Sequence, residues 1–435
     1  MNQRKIFRFV AYLSPPPAKV GYGEFADNAN YIDEENYRTM TDCGLDSAIG
    51  LFEKRVAHYL AGMKQAEKVG MEYFVRDQFK RGSLEGIIDY LGKRRDTAGL
   101  LARKGDKIAE RFDKYGKCSA YAGILASDEP PATKFLAIRT VQDWFKARYP
   151  EKKFIVNLLP TYANPEQLSG IQGIRTFDFE KDYVRTFIEI VQPEILSYDH
   201  YALIYDAAKK ENVLREDYLR NLEVFAEASK DTQKPFYNFL LTIGHLFYRT
   251  VKTYADIAWQ VYTSMAYGVK GVQTFTYWTL LSNGETEKIT GALVDREGNK
   301  MPAWYAMQRV IREVRSFEDL YMRYHWQGTM PVRGENPENP NFSALKKPLK
   351  EHKAVSDIHA EADCIIGTFE ENGKYAFLIA NFTDPAMRKT AKISVRFASE
   401  KILVCRGGKR EEVQLDEGKF SCTLESGEGA FLVLE

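Results

Sequence analysis

The sequence predicts an α/β fold: a (β/α)8 TIM barrel followed by a small C-terminal antiparallel β-sandwich. Three observations predict it. Short apolar segments of strand length alternate with helical segments eight times in the first 325 residues. These segments lack polar alternation, which is typical of parallel strands covered by helices. After residue 360, short β-type segments follow one another, separated by turns that contain glycine.

The predicted barrel strands are apolar runs that end at proline, glycine or polar residues. They span 6–13, 46–52, 71–79, 121–129, 153–159, 194–201, 236–244 and 271–278. Apolar residues spaced three and four apart predict helices at 36–42, 54–69, 84–115 (two helices), 133–149, 182–191, 217–228, 254–268 and 302–322. An open doubly wound sheet is the rival fold. It is disfavoured because Pro15–Pro17 stand where that fold needs a glycine-rich phosphate turn.

The domain bounds follow from a change of composition. We expect residues 1–325 to form the catalytic barrel, 326–360 a linker rich in proline, asparagine and lysine, and 361–435 the β-sandwich. Its predicted strands are 364–369, 375–381, 391–397, 401–405, 411–415, 420–424 and 430–434. We expect the sandwich to brace the barrel rather than to bind sugar.

Composition excludes several classes of partner. The chain has 435 residues and a net charge of +1, so no basic field favours nucleic acid or an anionic membrane. The sequence contains no run of about 18 apolar residues, the length that a helix needs to span a bilayer. No apolar signal core follows Met1, so we expect a cytoplasmic protein, or an exported one if a leader was removed. The five cysteines favour free, mostly buried thiols, with a Cys405–Cys422 disulfide as the alternative.

The segment Ala126–Pro131 carries the strongest chemical signal. Asp128 and Glu129 end an apolar strand and precede two prolines, which cannot continue a strand ladder. The carboxyl ends of barrel strands form the mouth where barrel enzymes do their chemistry. The alternative is that the two acids only cap the next helix. Burial and the neighbouring Asp128 should raise the pKa of Glu129, keeping it protonated near neutral pH.

Other polar and aromatic residues fall at the same predicted mouth. They are Ser14, Tyr22, Asp77, Thr161, Tyr162, Tyr198, Asp199, His200, Tyr201, His245, Tyr277 and Trp278. Cleavage of a glycosidic bond needs one carboxylic acid to protonate the leaving oxygen and a second carboxylate as nucleophile or base. Aromatic rings supply flat apolar surfaces for sugar rings. We therefore expect a saccharide substrate, bound by Asp77, Asp128, Tyr198, His200, Tyr201, His245, Tyr277 and Trp278.

The whole chain resembles a clan-A-type glycoside hydrolase, nearest to the β-galactosidase-like barrels that carry a C-terminal β-sandwich. The resemblance rests on 126–130 (ASDEP), 197–201 (SYDHY), 265–278 (MAYGVKGVQTFTYW), 291–295 (GALVD) and 302–305 (PAWY). In that clan a glutamate at the end of strand four is the acid/base. The resemblance therefore implies this role for Glu129.

The sequence departs from the clan at strand seven, where the clan places a nucleophilic glutamate. Residues 236–245 contain no acid. The second carboxylate is then expected elsewhere: Asp199 first, Asp77 second, and Glu285 or Glu287 after strand eight as weaker candidates. The departure also keeps open a non-catalytic carbohydrate-binding barrel.

Purely structural roles remain open for the predicted residues. Asp77 could pair with Arg76 or Lys80, Asp199 could anchor a loop, and the histidines could be structural. A divalent metal held by Asp77, Glu129, Asp199, His200 and His245 is a further alternative. No HxH or HExxH pattern supports it, so we expect neither metal nor cofactor. Trp278 is expected to be a sugar platform, because a polar loop follows it.

Overall fold

The computed structural model describes residues 6–21, 24–25, 27, 29–53, 55–78, 82–94, 96–282, 288–335 and 338–435. Eight parallel strands close into a barrel, with each strand paired to its neighbours in sequence and β1 paired to both β2 and β8. They are β1 Arg8–Tyr12, β2 Ser47–Gly50, β3 Glu72–Val75, β4 Tyr121–Asp128, β5 Lys153–Leu158, β6 Leu196–Asp199, β7 Phe236–Leu241 and β8 Gly271–Phe275. The predicted TIM barrel is confirmed.

Helices cover the outside of the barrel. They are α1 Glu34–Cys43, α2 Val56–Lys68, α3 Leu84–Arg94, α4 Thr97–Tyr115, α5 Phe135–Arg148, α6 Pro165–Ser169, α7 Thr186–Val191, α8 Tyr218–Thr232, α9 Tyr254–Ala266, α10 Pro302–Arg315, α11 Glu318–Tyr321 and α12 Pro340–Ala344. A π-helix, Phe179–Arg185, precedes α7. A polar hairpin of strands Leu203–Asp206 and Glu211–Leu214 follows β6 and was not predicted.

The C-terminal part is a sandwich of two antiparallel sheets, as predicted. Its strands are β9 His325–Val332, β10 Val355–Ala360, β11 Cys364–Glu371, β12 Lys374–Asn381, β13 Ala391–Phe397, β14 Lys401–Arg406, β15 Lys409–Gln414, β16 Lys419–Leu424 and β17 Gly429–Leu434. One sheet has the order β9-β11-β12-β17-β14-β15 and the other β10-β13-β16.

The range expected to be a linker contains two of these strands. β9 is the edge strand of the larger sheet and carries Pro331. Proline is tolerated at a sheet edge because one side of the strand donates no ladder bond there. The domain bounds therefore stay a prediction, with strand structure inside 326–360.

Both faces of the larger sheet are buried at its central strands β11 and β12. On β11 and β12, Ile365 and Leu378 belong to the core shared with the barrel, whereas Ile366 and Phe377 belong to the core between the two sheets. This burial on two faces explains the nearly continuous apolar sequence of both strands. All five cysteines are free thiols. Within the described ranges, no helix is long and apolar enough to cross a membrane.

Candidate active site

A cavity of about 570 Å³ opens at the carboxyl ends of the barrel strands. Its size lies in the range of about 300–1,000 Å³ that is usual for small-molecule sites. Each strand, or the loop directly after it, contributes a lining residue: Tyr12, Leu51, Arg76, Asp128, Asn157, Asp199, His245 and Phe275. This is the end of a TIM barrel where enzymes of this fold bind their substrates.

Glu129 is placed in the cavity by the irregular end of β4. The pairing of β4 with β5 shifts between Leu125 and Ser127, so β4 carries one extra residue there. Such a bulge bends the strand and changes where the following side chains point. Glu129 itself has φ +49°, in the left-handed region that non-glycine residues rarely adopt. Its N–H donates to the carbonyl of Asn157 at 2.8 Å, and its side chain lines the cavity.

The carboxyl groups of Glu129 and Asp199 line the same cavity and lie within hydrogen-bonding reach of each other when one of them is protonated. Such a bond requires one of the two groups to carry a proton. Glu129 is open to the cavity, but the surrounding protein desolvates its carboxyl group, and this desolvation, with the charge of Asp128, raises its pKa to about 7. Burial and the charges of Glu129 and Asp128 raise the pKa of Asp199 well above its ordinary value. The pair therefore holds one proton near neutral pH.

Asn157 connects Asp199 to Asp128. Its Nδ2 donates to Asp128 Oδ1 at 3.0 Å and to Asp199 Oδ1 at 2.8 Å. The amide is oriented by Ser197, whose hydroxyl donates to Asn157 Oδ1 at 3.0 Å and accepts from Gln273 Nε2 at 2.8 Å. A hydrogen bond donated to a carboxylate stabilises its charged form. Asn157 thus lowers the pKa of Asp199, but burial and the neighbouring acidic charges raise that pKa by more.

Arg76 fixes Asp128 beside the pair. Its Nη1 donates to Asp128 Oδ2 at 2.8 Å and to the hydroxyl of Tyr12 at 2.7 Å. Its Nη2 donates to Glu85 at 3.2 Å. The guanidinium is buried, so these carboxylates compensate a charge that would otherwise be costly to bury.

The structure brings together some of the predicted site residues. Asp128, Glu129, Asp199, Tyr201 and His245 all line the cavity. Tyr162, which the sequence placed at the mouth, lines it as well. Their catalytic and binding roles stay predictions. Asp199 is a second carboxyl group beside Glu129 in this cavity.

The prediction that Asp77 binds substrate is wrong, because Asp77 does not line the cavity. It is buried, accepts from the N–H of Leu84 at the start of α3, and pairs with Arg111 at 2.9 Å. Strand β3 ends at Val75, earlier than predicted, so Asp77 lies beyond the strand. Its neighbour Arg76 enters the cavity instead.

Tyr198 and His200 flank Asp199 but do not line the cavity, contrary to prediction. Successive side chains of a strand point to opposite faces, so Asp199 faces inward and its neighbours face the helices. Tyr198 stacks on Phe225 of α8 with ring centroids 4.2 Å apart. The Nε2 of His200 lies 3.0 Å from Oδ1 of Asp217.

Tyr277 and Trp278 are also absent from the cavity lining, so the prediction of a sugar platform at Trp278 is wrong. Both are buried. Phe275 lines the cavity, whereas Trp278 packs against Tyr31 with ring centroids 5.1 Å apart. The polar loop after Trp278 therefore did not indicate exposure of the indole.

Sequence reasoning missed Arg76, Asn157, Tyr12 and Tyr248 as cavity residues. A signal existed for Asn157, which is a lone amide in the apolar segment FIVNLL. A buried amide in a strand needs partners, so it suggests a polar group inside the barrel. Arg76 was one residue away from the predicted Asp77.

Two groups of candidates from the sequence remain: three residues at the predicted mouth and the five residues weighed as a metal site. Tyr22, Glu285 and Glu287 lie outside the described residues. The five residues weighed as a metal site do not converge, since Asp77 and His200 have the partners given above. In the part of the chain that the structure describes, no group of three or more histidine, cysteine or acidic side chains could hold a metal ion.

No family model and no curated protein sequence matches the chain. Its fold matches several solved structures. A family 39 glycoside hydrolase from Bacteroides cellulosilyticus WH2 matches over 100% of this chain and 82% of its own, with 12% identity and a TM-score of 0.50. An alpha-amylase from Anoxybacillus matches over 100% and 99%, with 10% identity and a TM-score of 0.52.

A beta-galactosidase from Marinomonas ef1 matches over 71% of this chain and 60% of its own, with 9% identity and a TM-score of 0.50. Identities this low show a shared fold and nothing finer. The chain thus has the barrel-and-sandwich fold found in glycoside hydrolases.

Proposed function

We propose that the protein is a glycoside hydrolase in which Glu129 is the general acid/base and Asp199 the second carboxylate. The observation that carries the proposal is the pairing of Glu129 and Asp199 in one cavity at the mouth of the barrel, close enough for each to raise or lower the pKa of the other. A proton donor and a carboxylate facing one cavity are the two groups that this reaction requires.

Exposure and hydrogen bonding separate the two roles. Glu129 is open to the cavity, whereas Asp199 is 6% exposed and accepts from Asn157. Glu129 is therefore the group that can reach the leaving oxygen. Asp199, in its ionised form, is the group that attacks the anomeric carbon or takes a proton from the attacking water.

Substrate must separate the pair for this chemistry. In glycoside hydrolases the two carboxyl groups stand about 5–9.5 Å apart, farther than a direct hydrogen bond allows. The glycosidic oxygen would replace Asp199 as the partner of the Glu129 proton. As the C–O bond breaks, that proton passes to the leaving oxygen, and the anomeric carbon takes an oxygen from Asp199 or from water.

The second candidate function is a carbohydrate-binding barrel without catalysis. The observation that favours it is the absence of an acid from β7 and from the residues up to His245. In that case the same cavity would bind a saccharide and release it unchanged.

A panel of aryl glycosides tests the proposal. Wild-type protein should hydrolyse at least one member. Glu129→Gln and Asp199→Asn should each lower kcat by at least about 100-fold, the usual contribution of a catalytic acid or base. Glu151→Gln, an exposed acid outside the cavity, should leave kcat unchanged.

Three outcomes would decide against hydrolysis at this pair. The wild type could leave every aryl glycoside intact, or Glu129→Gln or Asp199→Asn could retain full activity. Saccharide binding by calorimetry without turnover would select the carbohydrate-binding alternative.

A further inference from the structure

One side of the cavity is formed by an aromatic cluster that the proposed reaction does not use. We call the three tyrosines Tyr162, Tyr201 and Tyr248, together with Arg215, which stacks on Tyr162, the aromatic wall. The guanidinium of Arg215 lies 3.9 Å from the ring centroid of Tyr162. Its Nε donates to the carbonyl of Tyr201 at 3.3 Å. Tyr201 and Tyr248 meet edge to face with centroids 5.5 Å apart.

The wall is held in place from behind. The ring of His200 meets Tyr162 edge to face at 5.0 Å, and His200 Nε2 lies 3.0 Å from Asp217 Oδ1. Thr161, the residue before Tyr162, donates its hydroxyl to Asp217 at 2.5 Å and its N–H to Asn221 at 2.8 Å. Side chains fixed in this way lose little further freedom when a ligand binds.

The wall remains open where a ligand would arrive. Tyr162 is 36% exposed and lines the cavity, and Phe247 at the adjoining rim is 48% exposed. The hydroxyls of Tyr162 and Tyr248 lie 3.3 Å apart. The surface thus combines flat apolar rings with hydroxyl groups. A sugar ring has the same two features, an apolar face and a polar edge.

The exposure of the wall indicates which side of the scissile bond it serves. Tyr162 follows β5, the strand next to β4, which carries Glu129. The leaving group is the part of the substrate bonded to the oxygen that Glu129 protonates. Glu129 is more exposed than Asp199, so the leaving group would lie toward the rim, where Tyr162 is exposed.

We propose that the aromatic wall binds a second sugar residue on the leaving-group side, so that the substrate is an oligosaccharide. This inference rests on the proposed function for its direction along the substrate. The wall would determine specificity through KM and would take no part in proton transfer.

The test compares two leaving groups attached to the sugar that the aryl panel identifies. A disaccharide reaches the wall, whereas the corresponding glycosyl fluoride does not. Tyr162→Ala should lower kcat/KM for the disaccharide roughly fivefold to tenfold, mainly through KM, and leave the fluoride within about twofold. Tyr305→Ala removes a tyrosine that is 58% exposed on α10 and should leave kcat/KM unchanged for both substrates.

Two further variants guard against misfolding of Tyr162→Ala. Phe247→Ala at the rim should act on the disaccharide in the same direction, and Tyr162→Phe should retain most of the activity. Melting curves establish that each variant is folded. If Tyr162→Ala lowered kcat/KM equally for the disaccharide and the fluoride, or lowered it for neither, the inference would be overturned. The hydrolase proposal would stay intact.

A binding measurement separates this inference from the proposed function. Cellobiose, lactose, maltose and mannobiose, and their monosaccharides, are titrated into Glu129→Gln by calorimetry. At least one disaccharide should bind more tightly than its monosaccharides, and Tyr162→Ala in the same background should remove the difference. That result would support the wall even if no aryl glycoside were hydrolysed. Equal binding of mono- and disaccharides would refute it.

Discussion

Glu129 has both an unusual backbone conformation and an unusual protonation state. A non-glycine residue at φ +49° carries a strain of order 1–3 kcal/mol. Strain of this kind persists only where the surroundings impose it, here the bulge in β4 and the bond from its N–H to Asn157. The same backbone turn places the carboxyl group against Asp199. The backbone turn at Glu129 therefore accounts both for the position of its carboxyl group and for the proton that it shares with Asp199.

Asp128→Asn tests the electrostatics of the site through the pH profile. If Glu129 is the acid, kcat/KM falls as the pH rises through its pKa, which is raised to about 7 by burial and by Asp128. Removing the charge of Asp128 lowers that pKa, and Arg76, then less compensated, lowers it further. The alkaline limb of the profile should move to lower pH, as measured on an aryl glycoside. Glu151→Gln should not move it, and a limb that stays in place or moves upward would contradict the assignment.

At the scale of single residues, the sequence predicted which strand ends carry chemistry better than which side chains face inward. Asp128, Glu129 and Asp199 were placed correctly, but Asp77, Tyr198 and His200 were not. The reason is physical: both faces of a barrel strand are buried, so the sequence lacks the polar alternation that would fix its inward face. An error of one residue in the predicted inward face therefore selects Asp77 instead of Arg76.

Strand β4 depends on close backbone packing at Gly123. A Cβ built at this position would lie 2.2 Å from the carbonyl oxygen of Lys153 on β5. Contact with backbone cannot be relieved by a side-chain rotation. The position therefore requires glycine for β4 to pair with β5 and carry Asp128 and Glu129 to the mouth.

Gly123→Ala should destabilise the protein by about 2 kcal/mol or more, as overpacking of a rigid core does. Thermal and urea unfolding measure the change. Gly116→Ala is the matched control, because φ there is −59° and the nearest contact of a new Cβ is 3.4 Å. Equal melting temperatures for the two variants would refute the packing argument.

The elements themselves were largely predictable, because apolar runs and helical spacing report burial directly. The eight barrel strands and the seven predicted sandwich strands are all present. Sequence reasoning missed the hairpin Leu203–Leu214 and strands β9 and β10. These segments are short or rich in polar residues, and β9 contains a proline, so their stability comes from tertiary contacts rather than from an apolar pattern.

On the scale of the whole molecule, the sandwich reaches the loop that borders the cavity. Arg249, in the loop that carries His245 and Tyr248, donates to Asp384 of the sandwich at 2.7 Å, with both side chains nearly buried. Phe382 stacks on Trp259 of α9 at 5.3 Å. These contacts agree with the expected bracing role and place it at the mouth of the barrel.

Asp384→Ala should cost about 3–5 kcal/mol of stability, because it leaves Arg249 buried without its charge partner. It should also raise KM, since the loop behind Tyr248 loses its anchor, and leave the pH profile unchanged. Asp357→Ala removes an exposed ion pair with Arg396 in the same domain and should cost less than about 1 kcal/mol. A KM that matches the wild type in Asp384→Ala would restrict this contact to a role in stability.

The hydrogen bond between Glu129 and Asp199 has a thermodynamic consequence for ligand binding. Any ligand that comes between the two carboxyl groups ends their sharing of a proton and alters the proton affinity of each. Occupancy of the cavity is then linked to uptake or release of protons from the solution. The heat of binding should accordingly depend on the ionisation enthalpy of the buffer, even for a ligand that carries no titratable group.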